Sequence, residues 1–251
     1  MILLRYLFAA IGIAAWLFAA HAGADDDPAL RDEVRRLRED VRQLQQEMRD
    51  LKQAGAPRRT ATGWEIVDGL VLHPENSPRL GAADARLALI EFSDYQCPYC
   101  ARHFTDTMPE IEREFVATGK LMVVASEFPL ERMHPLALKA AQAARCAGEQ
   151  GKFWEMHARL FRNQRRLEPW TAHAEALALD EPRFDACLSA AKDTDEIRRN
   201  VQEALKAGVN STPTFLLALN TPEGLKVIRR VRGAAPFAAF KAEIEALTKG
   251  E

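Results

Sequence analysis

A surplus of either charge is what this 251-residue sequence most plainly lacks: 34 Lys and Arg stand against 36 Asp and Glu, a formal net charge of −2. Nucleic-acid binders usually carry a basic excess, so no nucleic-acid partner is expected. Cysteine is scarce as well, with four in the chain. Cys97 and Cys100 form one CxxC pair, whereas Cys146 and Cys187 stand singly, with no cysteine or histidine close by in sequence. Structural zinc is usually held by four ligands, often two such pairs, so no metal site is expected. What remains, 47% hydrophobic and 28% charged, is the composition of an ordinary globular protein of one or two domains.

A long apolar run lies at the N-terminus. In "MILLRYLFAAIGIAAWLFAAHAGA" (1–24), Arg5 precedes an apolar stretch from Tyr6 to Ala20. The small-residue steps Ala20-His21-Ala22 and Ala22-Gly23-Ala24 follow, and then three aspartates. Basic, apolar, small is the order of a cleaved secretory signal. The run from Ile2 to Ala20 also approaches the ~20 residues that span a bilayer, so an uncleaved inner-membrane anchor is the alternative. Under either reading the chain beyond Asp25 is exported, here to a bacterial periplasm, where disulfides persist.

From Pro28 to Ala54 (28–54), Leu30, Val34, Leu37, Val41, Leu44, Met48 and Leu51 recur at alternating spacings of four and three among charged residues and Gln. This narrow stripe predicts a coiled-coil helix that self-associates, in preference to an amphipathic helix packed on its own domain. Val at a and Leu at d favour a parallel dimer, with a trimer as the alternative, and Glu33–Arg38 and Glu47–Lys52 supply flanking charge pairs. "GAPRRTATG" (55–63) reads as a linker, and the globular domain (64–251) is expected to begin at Trp64.

Within that domain "RLALIEF" (86–92) and "KLMVVASEFPL" (120–130) are apolar and rich in branched residues, as buried strands are. One amphipathic helix is expected between them, from Ala101 to Gly119. A helix-rich block at about 134–206 is followed by "TPTFLLAL" (212–219) and "KVIRRVRG" (226–233), a strand pair around the turn "NTPEG", and by a closing helix. The fold class is therefore α/β with a mixed sheet, because the hairpin imposes an antiparallel pair.

The pair "CPYC" (97–100) follows the first of these strands directly. At the start of a helix, free backbone N–H groups and the aligned peptide dipoles favour a thiolate at Cys97. Pro98 suits the first helical position. Cys100, one turn on, can displace Cys97 from a mixed disulfide. An exposed nucleophile and a buried resolving cysteine are expected. A purely structural bridge fits less well, since so small a loop constrains the unfolded chain little. Glu91, inside the apolar strand, should be desolvated and able to relay the proton of Cys100; the competing reading points it to solvent at a sheet edge. Thr212-Pro213, just ahead of a strand, is a candidate cis bond that would let Thr212 pair with a substrate strand; Pro213 can equally be an ordinary strand-start proline.

"EFSDYQCPYC", "SEFPLERMHPLA", "GEQGKFWEMHARLF" and "GVNSTPTF", in that order, resemble the DsbA-like thiol–disulfide oxidoreductases. The resemblance covers roughly Ser77 to Leu247 and implies a thioredoxin fold with an inserted helical subdomain. It implies Cys97 as attacking and Cys100 as resolving cysteine, Pro213 as the cis-proline with Thr212 tuning the pair, and Glu91 as the buried acid. Pro98 and Tyr99 would then face substrate. No cofactor is needed beyond a redox-active Cys97–Cys100 disulfide. The stalk lies outside the common pattern and is similar to the oligomerising elements of periplasmic isomerases and suppressor-of-copper-sensitivity proteins. Tyr99 replaces the His usual in the strongest oxidases, which argues against extreme oxidising power.

In an oxidising compartment, Cys146 and Cys187 are expected to pair, closing a loop worth ~3–4 kcal/mol; two buried thiols are the alternative. The function expected is an exported enzyme exchanging disulfides with cysteine-containing secreted proteins and with a membrane redox partner. The stalk tilts the subtype towards isomerase or reductase over oxidase. The competing class is a coiled-coil chaperone or adaptor whose thioredoxin domain binds clients without redox turnover. A glutathione-using enzyme fits poorly, because CPYC glutaredoxins are short and lack the helical insert.

Overall fold

The computed structural model describes residues 28–54, 57–74 and 76–249. The expected signal or anchor (1–24) lies outside the described residues. The chain divides into two compact units, Met1–Pro57 and Arg58–Glu251. Among the described residues, no helix is long and apolar enough to cross a membrane.

In the first unit α1 (Pro28–Ala54) is one uninterrupted helix. Side chains one turn apart meet along it: Gln43 donates to Glu47 at 3.0 Å and Gln46 to Asp50 at 2.9 Å. The stripe from Leu30 to Met48 is exposed at every heptad position, Leu44 to 60%.

The second unit is built on six strands: β1 (Glu65–Leu72), β2 (Arg79–Leu80), β3 (Leu87–Ser93), β4 (Leu121–Glu127), β5 (Thr214–Thr221) and β6 (Gly224–Arg232). Their spatial order is β1-β6-β5-β3-β4-β2. β3 and β4 run parallel, and the other pairings are antiparallel. Every residue of β3 and of β4 is buried, which is why both are continuous apolar runs in sequence. Alternation along β3 sends Leu87 and Leu89 to one core, with Phe215, Phe240 and Ile244. It sends Ala88 and Ile90 to the opposite core, with Met122, Leu216 and Val227. Glu91 therefore shares the face of Leu87 and Leu89.

Helices cover both faces. After β3 come α2 (Pro98–Asp106), α3 (Met108–Ile111) and a π-helical turn (Glu112–Val116). The single helix expected over 101–119 is thus broken at Thr107, ahead of Pro109, whose ring cannot continue an i→i−4 ladder. The insert comprises α4 (Ala137–Gly148), α5 (Phe153–Arg162), α6 (Thr171–Ala176), α7 (Glu181–Ala190) and α8 (Thr194–Lys206), and α9 (Phe237–Lys249) closes the fold. The insert has its own core around Ala143, Met156, Leu160, Phe184 and Ile197, and Cys100 joins it.

The domain starts earlier than Trp64. Ile66 N–H donates to the Arg58 carbonyl at 2.7 Å, and Thr62 hydrogen-bonds Glu243 on α9. Gly63, at φ +85°, permits the turn that brings these residues back onto β1. The buried Glu65 carboxylate then collects Arg59 at 2.8 Å, Arg230 at 2.7 Å and Arg232 at 2.5 Å. The second half of the expected linker is domain, not tether.

Candidate active site

Cys97 caps α2 with extended backbone (φ −74°, ψ 119°), and Pro98 opens the helix where no N–H is required. The loop before it is fixed by Asp94. This buried carboxylate accepts from Gln96 N–H (2.7 Å) and Leu130 N–H (2.8 Å) and lies 2.8 Å from Nδ1 of His134. The Cys97 N–H donates to the Asp94 carbonyl at 3.0 Å. On the other side, Gln164 Nε2 donates to the carbonyls of Tyr95 (2.9 Å) and Cys97 (2.8 Å). Asp94 and Gln164 thus hold the strand-to-helix turn from two directions. Sequence reasoning missed both, because most of their partners lie far along the chain, up to 69 residues away.

The two sulfurs are inequivalent. Cys97 lies against the cis Thr212–Pro213 bond, its Sγ 3.4 Å from the Thr212 carbonyl. The hydrogen bond from Cys100 is the chief influence on the Cys97 thiol. With Thr212 and the N–H groups of Cys100 and Tyr99, it outweighs burial and brings the thiol down to about 5. The Thr212 hydroxyl is buried without a partner. Cys100 is pushed well above an ordinary thiol, first by burial and then by its bond to Cys97. Both cysteines are free thiols.

One expectation is corrected. Cys97 is not exposed: its relative accessibility is 4%, against 0% for Cys100. The Thr212–Pro213 loop covers it, and the exposed surface of the motif belongs to Pro98 and Tyr99, the latter 56% exposed.

Glu91 is 2% exposed and opposes Ala125 and Phe215 on the neighbouring strands, so it sits within the sheet and not at its edge. Burial lifts its carboxyl to about 7, against the opposing hydrogen bond from Ser93 (2.9 Å). A small cavity beside it is lined by Ser93, Tyr95, Ser126, Glu127 and His157. There the Tyr95 hydroxyl and Nδ1 of His157 are hydrogen-bonded at 2.9 Å, and burial drives that imidazole down to about 3, so it stays neutral. His103 on α2 is also neutral and buried, packed 4.2 Å from the Phe215 ring.

Cys146 on α4 and Cys187 on α7 are bonded to each other, S–S 2.01 Å, across 41 residues. Asp193 is the third member of the one cluster of potential metal ligands among the described residues, and both sulfurs of that cluster are already in the disulfide.

Fold and site together define a class: an oxidoreductase of thioredoxin fold built around a dithiol. The thioredoxin family model matches residues 73–222, and the chain belongs to that family. Among solved structures, alpha-DsbA1 of Wolbachia pipientis matches with a TM-score of 0.61 and 23% identity, covering 72% of this chain and 93% of that one. Oxidised BdbD of Bacillus subtilis gives 0.61 and 21%, covering 74% and 99%. The fold is theirs. Curated relatives carry another name. The Na(+)/H(+) antiporter NhaA 1 of Mycobacterium sp. (strain KMS) is 40% identical over 149 residues, 57% of this chain but 24% of the antiporter. NhaA of Herminiimonas arsenicoxydans is 32% identical over 187 residues, 72% of this chain and 28% of that protein. The chain spans about a quarter of the length of the curated relatives it matches.

Proposed function

We propose that this protein is an exported thiol–disulfide oxidoreductase that exchanges disulfides with cysteines of other secreted proteins. The observation that carries the reading is the asymmetry of the pair: one sulfur acidified to about 5 at a helix start beside Thr212–Pro213, the other buried and held protonated. In the reducing direction the Cys97 thiolate attacks a client disulfide, forming a Cys97–client bond and releasing one client thiolate. Cys100 then gives its proton to Glu91 and attacks the Cys97 sulfur. The second client thiolate leaves, the client has gained two electrons, and the Cys97–Cys100 disulfide remains. The oxidising direction is the same sequence reversed. A carboxyl near 7 both accepts and returns that proton at neutral pH. A membrane dithiol–disulfide partner resets the pair.

The exposed heptad stripe of α1 supports self-association, a dimer ahead of a trimer, and so a shared cleft suited to isomerase or reductase work. Thr212, Pro213, Pro98 and Tyr99 form the client-facing rim in this reading. The antiporter activity in the names of the curated relatives is not carried over, because the chain spans so small a share of them. The test is a redox titration of Cys97/Cys100 combined with recovery of activity from scrambled ribonuclease. A pair that does not cycle, with no ribonuclease recovered, would overturn the reading. The same exposed stripe favours one alternative, a coiled-coil adaptor. A Cys97→Ser/Cys100→Ser protein that retained the full phenotype would select it.

A further inference from the structure

From Met156 to Leu167 the sequence carries Arg159, Arg162, Arg165 and Arg166 and no carboxylate, in a chain of formal net charge −2. Several arginines elsewhere in the domain are matched by carboxylates. Arg145 pairs with Glu127 and Glu196, Arg198 with Glu131, Arg229 with Glu243, and Arg230 with Glu65. Here they are not. Glu112 faces Arg162 across an adjoining cavity. Among the described residues, Arg102, Arg165 and Arg166 are in none of the salt bridges.

Two of these cations adjoin the dithiol through Gln164. Gln164, whose amide grips the Cys97 carbonyl, is followed directly by Arg165 and Arg166, both exposed. Phe161, Arg162, Asn163 and Gln164 complete a groove of about 580 Å³ with them. Arg102 on α2 is held over the Tyr99 ring at 5.2 Å, and Arg162 over Phe104 at 5.5 Å. Unpaired guanidinium groups clustered in a groove attract anions within a Debye length of ~8 Å and bind carboxylates bidentately. We propose that this arginine groove beside Cys97 docks acidic segments flanking the reactive cysteine of the client. The proposal rests on the oxidoreductase reading and adds the client's chemistry to it: Asp- and Glu-rich chain around the cysteine is taken first.

The test uses the reduced full-length protein and two disulfide-linked peptides, identical except for Asp or Lys around the cysteine. The Asp peptide should exchange faster by about tenfold at low ionic strength, and the gap should close near about 0.5 M salt. In Arg165→Gln/Arg166→Gln the ratio of the two rates should approach one, and in Arg165→Glu/Arg166→Glu it should fall below one. Each ratio is taken within one preparation, so a loss of folded protein cancels. Equal rates at low salt, or a preference unmoved by the charge reversal, would overturn the proposal. The uncharged disulfide dithiodipyridine separates the two failures. No reaction with it or with either peptide defeats the redox reading itself. Reaction with it but no peptide preference defeats only the docking surface. Retention on phosphatidylglycerol vesicles through the same arginines, again without peptide preference, would assign the groove to a membrane and overturn the proposal.

Discussion

The two cysteine pairs share one chain and face opposite tasks. Cys146 in the last turn of α4 and Cys187 within α7 are joined across 41 residues. Neither meets a helix start or an ionised neighbour that would favour a thiolate, and closing so long a loop removes much freedom from the unfolded chain. Cys97 and Cys100 close a loop of four residues, which stabilises little, but one of them sits where peptide dipoles, Thr212 and a neighbouring thiol favour negative charge. Helix position and loop length, rather than the element cysteine itself, separate a staple from a reactive centre.

The contrast is sharpest under substitution. Cys97→Ser should abolish exchange altogether, while Cys100→Ser should accumulate covalent client adducts visible on non-reducing gels. Adducts in the first variant and none in the second would invert the roles assigned to the two sulfurs. On wild-type protein, iodoacetamide labelling of Cys97 should show a midpoint near 5, and an ordinary thiol midpoint would remove the distinction between the pairs. Removing the staple with Cys146→Ala/Cys187→Ala should leave exchange chemistry in place and cost ~4 kcal/mol in denaturant unfolding. A change below about 1 kcal/mol would mean that the unfolded chain is already compact there.

Glu91→Gln should slow the resolving step by ~10²-fold and flatten its pH dependence near neutrality. Stability gives a second readout. The folded carboxyl is raised to about 7 from an ordinary 4.5, so its contribution is complete below 4.5 and is lost as pH rises through 7. Wild type should therefore lose about 3 kcal/mol across that window and the Gln variant should not. Parallel pH profiles would show that Glu91 is not the titrating group. Smallest is Gln164→Ala, which frees the carbonyls of Tyr95 and Cys97. It should cost ~1–2 kcal/mol of stability and shift the Cys97 labelling midpoint. A midpoint identical to wild type would reduce Gln164 to packing.

What was legible in the sequence follows the same physics. β3 and β4 are buried on both faces, so nothing dilutes their apolar runs, and Glu91 stands out within one of them. β5 was readable for the same reason over its buried first five residues. β1 was not recognised: it is half-exposed, carries Asp68 and Gly69, and changes register between Ile66 and Leu70. β2 has two residues and no periodicity to read. At the site, spacing led to Cys97 and Cys100, and the resemblance to DsbA-like proteins led to Pro213. Asp94, Gln164 and His157 were silent, because their roles depend on partners brought near by the insert. The covering of Cys97 was equally unreadable, since it is a property of two loops meeting.

That covering has a consequence for selectivity. A nucleophile showing only 4% of its surface beneath a proline turn admits a visiting sulfur carried on thin, pliable chain. On the proposed reading, client cysteines carried on such chain would be taken ahead of those embedded in finished, rigid domains.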